Sequence, residues 1–408
     1  MAEERTEVVV VGAGPAGTAA ALTARRHGLD VVLLDRARFP RDKACGDGLT
    51  TAALRALERL GLPAHALGID DTSTVRAAVL RAPSGRIVEL PLPEPGRYAA
   101  VVRRVELDRA LTDVARARGV DVRDGCALRG LVADAEGVTV ELSDATTLRT
   151  RFVVAADGHY SPTRRLLEPD TPTALGEHHA MRQYFSGVRD PRLWVVFDRD
   201  LLPGYAWVFP LGDGTANVGV GMPRGRGQGR LHRQIWTSLT DRPGVRDALG
   251  PDARPVGAAR AWPVPTAFDP ARLTSRVSPR VLFAGDAAAV VDPLTGEGIA
   301  QALVTGGLAA DAIAAGASAH PRAVAARYRA DTTAELGRDL RFASALRHTL
   351  ATARRADVAI RAVDASDWTR RSFARWMFED YPRAVLLTPR RWRRGMMQRP
   401  GAYRAPAA

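Results

Sequence analysis

The sequence predicts an α/β chain in three parts: a lobe built on a Rossmann-type βαβ unit, an antiparallel β-sheet lobe, and a helical C-terminal section. Three observations predict it. A β-branched run at residues 7–11 leads into the turn GAGPAG at residues 12–17, and an alanine-rich stretch follows. From Met181 to about Met222, aromatic and β-branched residues alternate with the two-residue period of a strand, with turn residues at Gly204 and at Asp213 and Gly214. Beyond Arg322 apolar residues recur at helical spacing to about Phe378.

Taken in order, residues 7–11 are the first strand, 15–27 a helix that Gly28 ends, and 31–34 a second strand, completing one βαβ unit. A helix is expected over 54–60, and two strands between 75 and 88 joined at Pro83, Ser84 and Gly85. A helix beginning at Val105 runs to Arg118 and stops at Gly119. Strands follow at 120–122, 128–132, 138–142 and 152–155, the last running into Asp157 and Gly158. A strand at 281–284 and a small-residue helix at 296–314 return to the first lobe. The nucleotide lobe is thus assigned to residues 1–70, 97–175 and 276–330, and the antiparallel substrate lobe to 71–96 and 176–275. Residues 331–408 form the helical section and a basic tail, and no internal repeat is present.

At 408 residues, 46% hydrophobic and 25% charged, the chain has the composition of an ordinary globular protein with a sizeable core. The charged start MAEERTE and an apolar run of only residues 8–11 offer no signal-peptide core or membrane span, so a cytoplasmic protein is expected. Two cysteines, Cys45 and Cys126, make no disulfide framework, and without a CxxC or a histidine cluster no metal is expected. The net charge of +13 raises nucleic acid or membrane as partners. Because the basic residues are scattered, no nucleic-acid partner is expected. The densest basic block is TPRRWRRGMMQR at residues 388–399. It reads as a solvated tail of an arginine-biased chain, with peripheral contact to an anionic membrane as the alternative. Oligomeric state leaves no mark on the sequence. Lys43 is the single lysine among 58 basic residues, and it lies two positions before Cys45. A titratable ammonium there is a candidate for the chemistry, since a guanidinium does not give up its proton.

The glycine turn carries the first chemical signal. In GxGxxG, here Gly12, Gly14 and Gly17, the backbone lets a diphosphate approach the N-terminus of a helix, and Asp35 at the end of the next strand can accept hydrogen bonds from a ribose. A second element, AGD followed by GEGI, places Asp286 after a strand, where it can bond ribityl or ribose hydroxyls. The helix expected to begin near Gly296 would aim its N-terminal dipole at a ring, a field that favours an anionic reduced flavin. Asp157, in AADG, is available near the diphosphate. With KACGDG at residues 43–48, these elements outline one flavin adenine dinucleotide, FAD. There is no second such turn, and GRGQGR near Gly225 lacks the spacing. An electron donor, NADPH or another reductant, therefore has no dinucleotide fold of its own.

The order GxGxxG, Asp-Gly, Gly-Asp resembles the p-hydroxybenzoate hydroxylase superfold over about the first 330 residues. Within it KACGDGLT (43–50), PGYAWVFP (203–210) and PLTGEGI (293–299) resemble the geranylgeranyl reductase family, flavoenzymes that saturate carbon-carbon double bonds of isoprenoid chains. The resemblance implies flavin contacts at Ala16, Asp35, Cys45, Gly46, Gly48, Arg104, Ala127, Asp286, Gly298 and Ile299. It also implies a substrate floor at Tyr205, Trp207 and Phe209, whose two-residue spacing puts all three on one face of a strand. Saturating an unactivated alkene needs an acid, a hydride from flavin N5, and stabilisation of developing positive charge. Cys45, tuned by Lys43, is the expected acid or relay, the alternative being a structural cysteine packed beside the flavin. The faces of Tyr205 and Trp207 are expected to stabilise the positive charge. The expected substrate is an apolar isoprenoid or a natural product. A monooxygenase tailoring a natural product is the competing reading, because fold does not fix reaction. A halogenase is disfavoured, because YAWVFP departs from the paired-tryptophan motif of that class. A non-catalytic flavin-binding protein is the remaining alternative.

Overall fold

A computed structural model describes residues 4–170, 176–225, 229–316 and 319–404. The first residues of MAEERTE, the boundary expected at 175, residues 226–228 of GRGQGR and the last four residues lie outside these ranges. The chain begins β1 (Glu4–Val11), α1 (Pro15–Arg26) and β2 (Val31–Asp35), a βαβ unit in which β1 and β2 pair in parallel. A short β3 (Gly48–Thr50) leads into α2 (Thr51–Arg59), which Thr50 caps by accepting from Ala53 N. Next come β4 (Ala77–Arg81), β5 (Ile87–Pro91), β6 (Ala99–Val101) and α3 (Arg104–Ala117). Then follow β7 (Asp121–Asp124), β8 (Leu128–Ala133), β9 (Val138–Leu142), β10 (Thr147–Ala155) and α4 (Pro162–Leu167). The second half of the chain supplies β11 (His178–Ser186), β12 (Leu193–Val196), β13 (Tyr205–Pro210), β14 (Thr215–Pro223), α5 (Gly229–Thr237) and α6 (Pro243–Leu249). It ends with β15 (Arg254–Val264), β16 (Val281–Phe283), α7 (Ile299–Ala315), α8 (Pro321–Thr349), α9 (Ala353–Val363) and α10 (Asp367–Met377).

Two seven-stranded sheets organise these elements. In the first, the order is β7-β2-β1-β10-β9-β8, with β16 also paired to β10. β10 serves both neighbours because its first half pairs antiparallel with β9 while Val153, Val154 and Ala155 pair in parallel with β16. The second sheet runs β15-β11-β14-β13-β12-β4-β5 and is antiparallel except for the parallel β12/β4 pair. The strands predicted between 75 and 88 thus join this sheet. The eleven-residue β15, which sequence periodicity did not mark, forms its edge. Its first eight residues are exposed, so no buried-face alternation was there to be read. Side chains alternate between two faces along β13: Ala206 and Val208 enter one core with Val79, Trp194 and Val196, whereas Tyr205 and Phe209 pack on the opposite face. On that opposite face Ile360 of α9 and Ala374 of α10 meet Leu80 and Val195, so the C-terminal helices cover the second sheet.

The tail is not free. Arg97 and Ala402 pair backbone to backbone, Tyr98 Oη donates to Arg399 O at 2.7 Å, and Arg55 Nη2 donates to Pro400 O at 2.8 Å. The expected solvated tail is instead a strap held by its main chain and by Arg391, whose guanidinium pairs with Asp339 at 2.9 Å, while Arg390, Trp392, Arg393, Arg394 and Met397 are exposed. No helix among the described residues is long and apolar enough to cross a membrane.

Every residue of α1 from 15 to 24 is buried, because small side chains let this helix lie close to both the sheet and α7. Gly12 (φ +101°) admits Ala156 so closely that a Cβ would sit 2.4 Å from its carbonyl oxygen. At Gly17 a Cβ would fall 1.7 Å from the oxygen of Gly12. Alanine in a helix normally gains up to about 1 kcal/mol over glycine. Here the collision reverses the sign, and Gly17→Ala should lose about 1–3 kcal/mol or more together with cofactor retention. Thermal melting and bound-flavin absorbance of the purified variant check this.

Candidate active site

A cavity of about 1250 Å³ opens at the carboxyl ends of β1, β2 and β10 and runs between the two sheets beneath α9 and α10. Gly12, Gly14, Ala16, Asp35, Arg104, Ala127 and Asp157 line one end. Lys43, Cys45, Gly46, Gly48, Asp286, Gly298 and Ile299 line the middle, and Tyr205, Trp207 and Phe209 the wall beyond. Of the residues singled out from the sequence only Gly17 lies off the cavity, because its work is the close approach of α1 to the glycine turn.

The first end has the shape and charge of a dinucleotide seat. α1 begins without a side-chain cap, so its first N–H groups face the cavity. A Cβ added to Gly14 would meet only the guanidinium ends of Arg41 and Arg104, at 3.7 and 3.9 Å. Arg104 is 4% exposed and forked onto Asp108 by two 2.8 Å bonds, and Arg41 bridges Asp108 and Asp35. Asp35 accepts from Ala13 N at 3.0 Å and Ala37 N at 2.9 Å, so it is oriented by backbone before any ribose arrives. Asp157 accepts from Thr163 N, but its Oδ1 is buried without a partner. Two guanidinium groups, a bare helix N-terminus and an orphaned carboxylate oxygen are the donors and acceptor that a diphosphate and its sugars require. The residues present therefore fit FAD.

In the middle, the structure corrects two expectations. Lys43 does not act on Cys45: its Nζ lies 3.0 Å from Asp286 Oδ2. Burial works to raise the Asp286 carboxyl, but the Lys43 ammonium pulls it below its ordinary value, so Asp286 is a carboxylate. The charge near Cys45 is Arg104. Burial pushes the thiol above its ordinary value, Arg104 opposes this without overcoming it, and Asp47 and Glu297 raise it further. Cys45 is thus a thiol that keeps its proton. The second correction concerns α7. It begins at Ile299, and Glu297 Oε1 accepts from Ile299 N at 2.8 Å and Ala300 N at 2.9 Å. The helix end expected to be an open dipole is already capped by an acid.

Asp47, inside the KACGDG motif but not chosen from it, is wholly buried at φ 65°. It accepts from Arg104 N (3.1 Å), Tyr184 Oη (2.7 Å) and Asn217 Nδ2 (2.8 Å). Asn217 also donates to Cys45 O at 2.7 Å and accepts from Trp207 Nε1 at 3.0 Å. Phe209 covers Gly46 and Gly48, where an added Cβ would meet its ring at 3.5 and 3.4 Å. The three aromatics of β13 stand in a row, successive ring centroids 6.1 Å apart. The Tyr205 hydroxyl donates to Thr295 O. Past this wall the cavity is apolar, between Val195 and Phe197 of the second sheet and Ile360, Val363, Phe373 and Trp376 of the C-terminal helices. His178 lines the same cavity against Arg347; burial and that guanidinium push it down to about 4, a neutral imidazole.

The C-terminal section contributes a clamp that no sequence motif marked. Arg383 is 3.3 Å from Glu379 Oε1, 3.5 Å from Asp292 Oδ2, and donates to Thr295 Oγ1 at 3.2 Å. It thereby holds the PLTGEG loop from behind. Its signal would have been an Arg-Glu pair four residues apart, too common in this arginine-rich chain to stand out.

The family described as FAD binding domain matches residues 5–317. Menaquinone reductase of Mycolicibacterium smegmatis is 36% identical over 337 residues, covering 76% of this chain and 77% of the relative. Digeranylgeranylglycerophospholipid reductase 1 of Methanopyrus kandleri is 31% identical over 320 residues, covering 75% and 79%. The chain belongs to the geranylgeranyl reductase family of FAD-dependent oxidoreductases. The reductase also shares its fold with the crystal structure of a geranylgeranyl bacteriochlorophyll reductase-like protein from Thermoplasma acidophilum. That match has a TM-score of 0.76 at 22% identity and covers 96% of this chain and all of the other. In this reductase Cys45 should resist alkylation: near neutral pH, iodoacetamide should modify it at least about tenfold more slowly than a free cysteine, because the thiolate is the reactive form. Mass spectrometry of the flavin-loaded protein over time checks this.

Proposed function

We propose that this reductase saturates carbon-carbon double bonds of an isoprenoid chain, which lies along the aromatic wall with its apolar length beneath α9 and α10. The observation that carries the reading is the continuity of the cavity: a charged dinucleotide end opens without a partition into an arm walled by Tyr205, Trp207, Phe209, Val195, Ile360 and Phe373. Such an arm suits a long hydrocarbon and offers few polar groups for a compact hydroxylated substrate. FAD, when bound, supplies a hydride-donating ring. Arg41, Arg104 and the start of α1 would hold its diphosphate, and the Lys43–Asp286 pair and Cys45 would contact it deeper in the cavity, towards the aromatic wall. A thiol pushed up by burial donates poorly, so Cys45 acts by contact and positioning. The faces of Tyr205 and Trp207 stabilise positive charge developing on the alkene. The enclosed wall excludes water from that charge.

The same reading extends to partners. The electron donor, NADPH or another soluble reductant, visits the flavin and does not occupy a fold of its own. The strap at residues 388–399 is anchored by its main chain, and Trp392 and Met397 are 55% and 41% exposed beside Arg393 and Arg394. Aromatic and basic side chains on one rim suit the cytoplasmic surface of an anionic membrane that carries a prenyl lipid.

Three measurements test this reading. Under anaerobic conditions the dithionite-reduced protein, given menaquinone or a geranylgeranyl lipid, should reoxidise its flavin and yield product heavier by two hydrogens per bond. Cys45→Ala should retain its flavin yet lose about tenfold or more in kcat/KM through misplacement of the chain. Flavin that stays reduced until oxygen enters, with oxygen then found in the product, would establish a monooxygenase instead. For the rim, co-sedimentation with phosphatidylglycerol vesicles should exceed that with phosphatidylcholine vesicles and weaken in Trp392→Ala.

A further inference from the structure

Behind the aromatic wall, three carboxyl groups share one cation. Asp292, Glu297 and Glu379 surround Arg383, whose side chain is 2% exposed. The other cations nearby are committed, Lys43 to Asp286 and Arg104 to Asp108. Three ionised carboxylates against one guanidinium in an enclosed site would repel strongly, so the cluster retains a proton.

Hydrogen bonding shows which group carries it. Asp292 Oδ1 accepts from Leu294 N, Thr295 N and Thr295 Oγ1, and Oδ2 faces Arg383. Glu379 accepts from Gln301 Nε2 and Arg383 on one oxygen and from Thr50 Oγ1 on the other. Both are surrounded by donors, which favour the ionised form; burial and Asp292 push Glu379 up, and Arg383, Thr50 and Gln301 oppose this, whereas Glu297 lacks such donors on its second oxygen. Glu297 differs: Oε1 takes the two N–H groups of α7, while Oε2 has no donor among the described residues. Glu297 also lines the cavity, and its Oε2 is not among the occluded unpartnered atoms. We propose that Glu297 is the general acid of the saturation, presenting a proton on Oε2 to the double bond held against the aromatic wall. This rests on the prenyl reductase reading of the cavity.

The neighbouring groups agree. Burial, reinforced by Glu379, pushes Glu297 up to about 8, so it holds its proton at neutral pH. Tyr205 has given its hydroxyl hydrogen to Thr295 O, and Trp207 its N–H to Asn217. Asp286 is ionised, His178 is neutral, and Cys45 is a weaker acid still. Gln301, 5% exposed, donates from Nε2 to Glu379 Oε1 and leaves its own Oε1 without a donor. The atoms balance: reduced flavin gives a hydride, with two electrons, to one alkene carbon, and Glu297 gives a proton to the other. Flavin is left oxidised and Glu297 ionised, to be reprotonated from solvent.

Glu297→Gln keeps the oxygen that caps α7 and removes the proton. With flavin content unchanged, kcat for prenyl reduction should fall about 100-fold or more, and the loss of rate above about pH 8 expected of wild type should be absent from the variant. Glu379→Gln removes the charge that raises Glu297, so in that variant the alkaline limb should move to lower pH. A readout without turnover comes from stability. A carboxyl whose folded value lies above its unfolded one binds extra protons in the native state, so its contribution declines as pH rises between the two. The melting temperature of Glu297→Gln relative to wild type should therefore climb from about pH 5 to about pH 9. Turnover within about threefold of wild type with an unchanged alkaline limb, or a flat melting difference, would overturn the proposal. If wild type itself saturates no prenyl chain, the reading of the cavity fails and takes this proposal with it. Failure of the variant prediction beside an active wild type removes Glu297 alone.

Discussion

The buried carboxyl of Asp47 joins the two lobes, and the cavity walls depend on it. From one side chain it receives the start of α3 through Arg104 N, β11 through Tyr184 and β14 through Asn217. Asn217 passes the constraint to the Cys45 carbonyl and to the Trp207 indole, so the loop of residues 43–48 and the aromatic wall are tied together. Burial pushes Asp47 up against the pull of these hydrogen bonds, which means the bonds are needed to make its position tolerable. Losing one of them would leave a buried donor or acceptor unmet, at about 1–3 kcal/mol each. The left-handed backbone at Asp47 is held in the same way, by surroundings that over-determine it.

Charge is arranged in opposite senses along the cavity. At the dinucleotide end guanidinium groups are fixed by buried acids, Arg104 and Arg41 by Asp108, and Arg41 also by Asp35, which backbone N–H groups orient. Positive charge there is in place before a diphosphate arrives, which lowers the reorganisation that binding requires. Behind the aromatic wall the sense reverses, and carboxyl groups outnumber cations around Arg383. The first arrangement suits an anion and the second suits storage of a proton. Between them lie aromatic faces and hydrocarbon, a medium in which both fields act with little screening.

Much of the first lobe was legible because its constraints are local. The glycine turn, the strand before it and the helix after it are neighbours in sequence, and a backbone that must approach Ala156 within a Cβ radius at Gly12 allows only glycine there. The three aromatics of β13 were legible for the same reason, since a two-residue period puts them on one face whatever the sheet's neighbours. The exposed strand β15 was not, having no buried face to leave a period. The tail misled for a related reason: much of its anchoring is done by carbonyl groups such as those of Arg399 and Pro400, which any side chains could have carried.

By itself the sequence determined that the chain holds a dinucleotide in a βαβ turn, carries a one-sided aromatic strand and belongs with flavoproteins, because glycine geometry and strand periodicity are properties of adjacent residues. Tertiary structure decided which charges meet. It gave Lys43 to Asp286 and not to Cys45, brought Arg383 and Glu379 of the C-terminal section behind a loop some ninety residues earlier, and left one oxygen of Glu297 facing the cavity. Electrostatic pairing acts over a few ångströms of space with no period along the chain. In a chain with 57 arginines, each acid has many candidate partners until the fold chooses one.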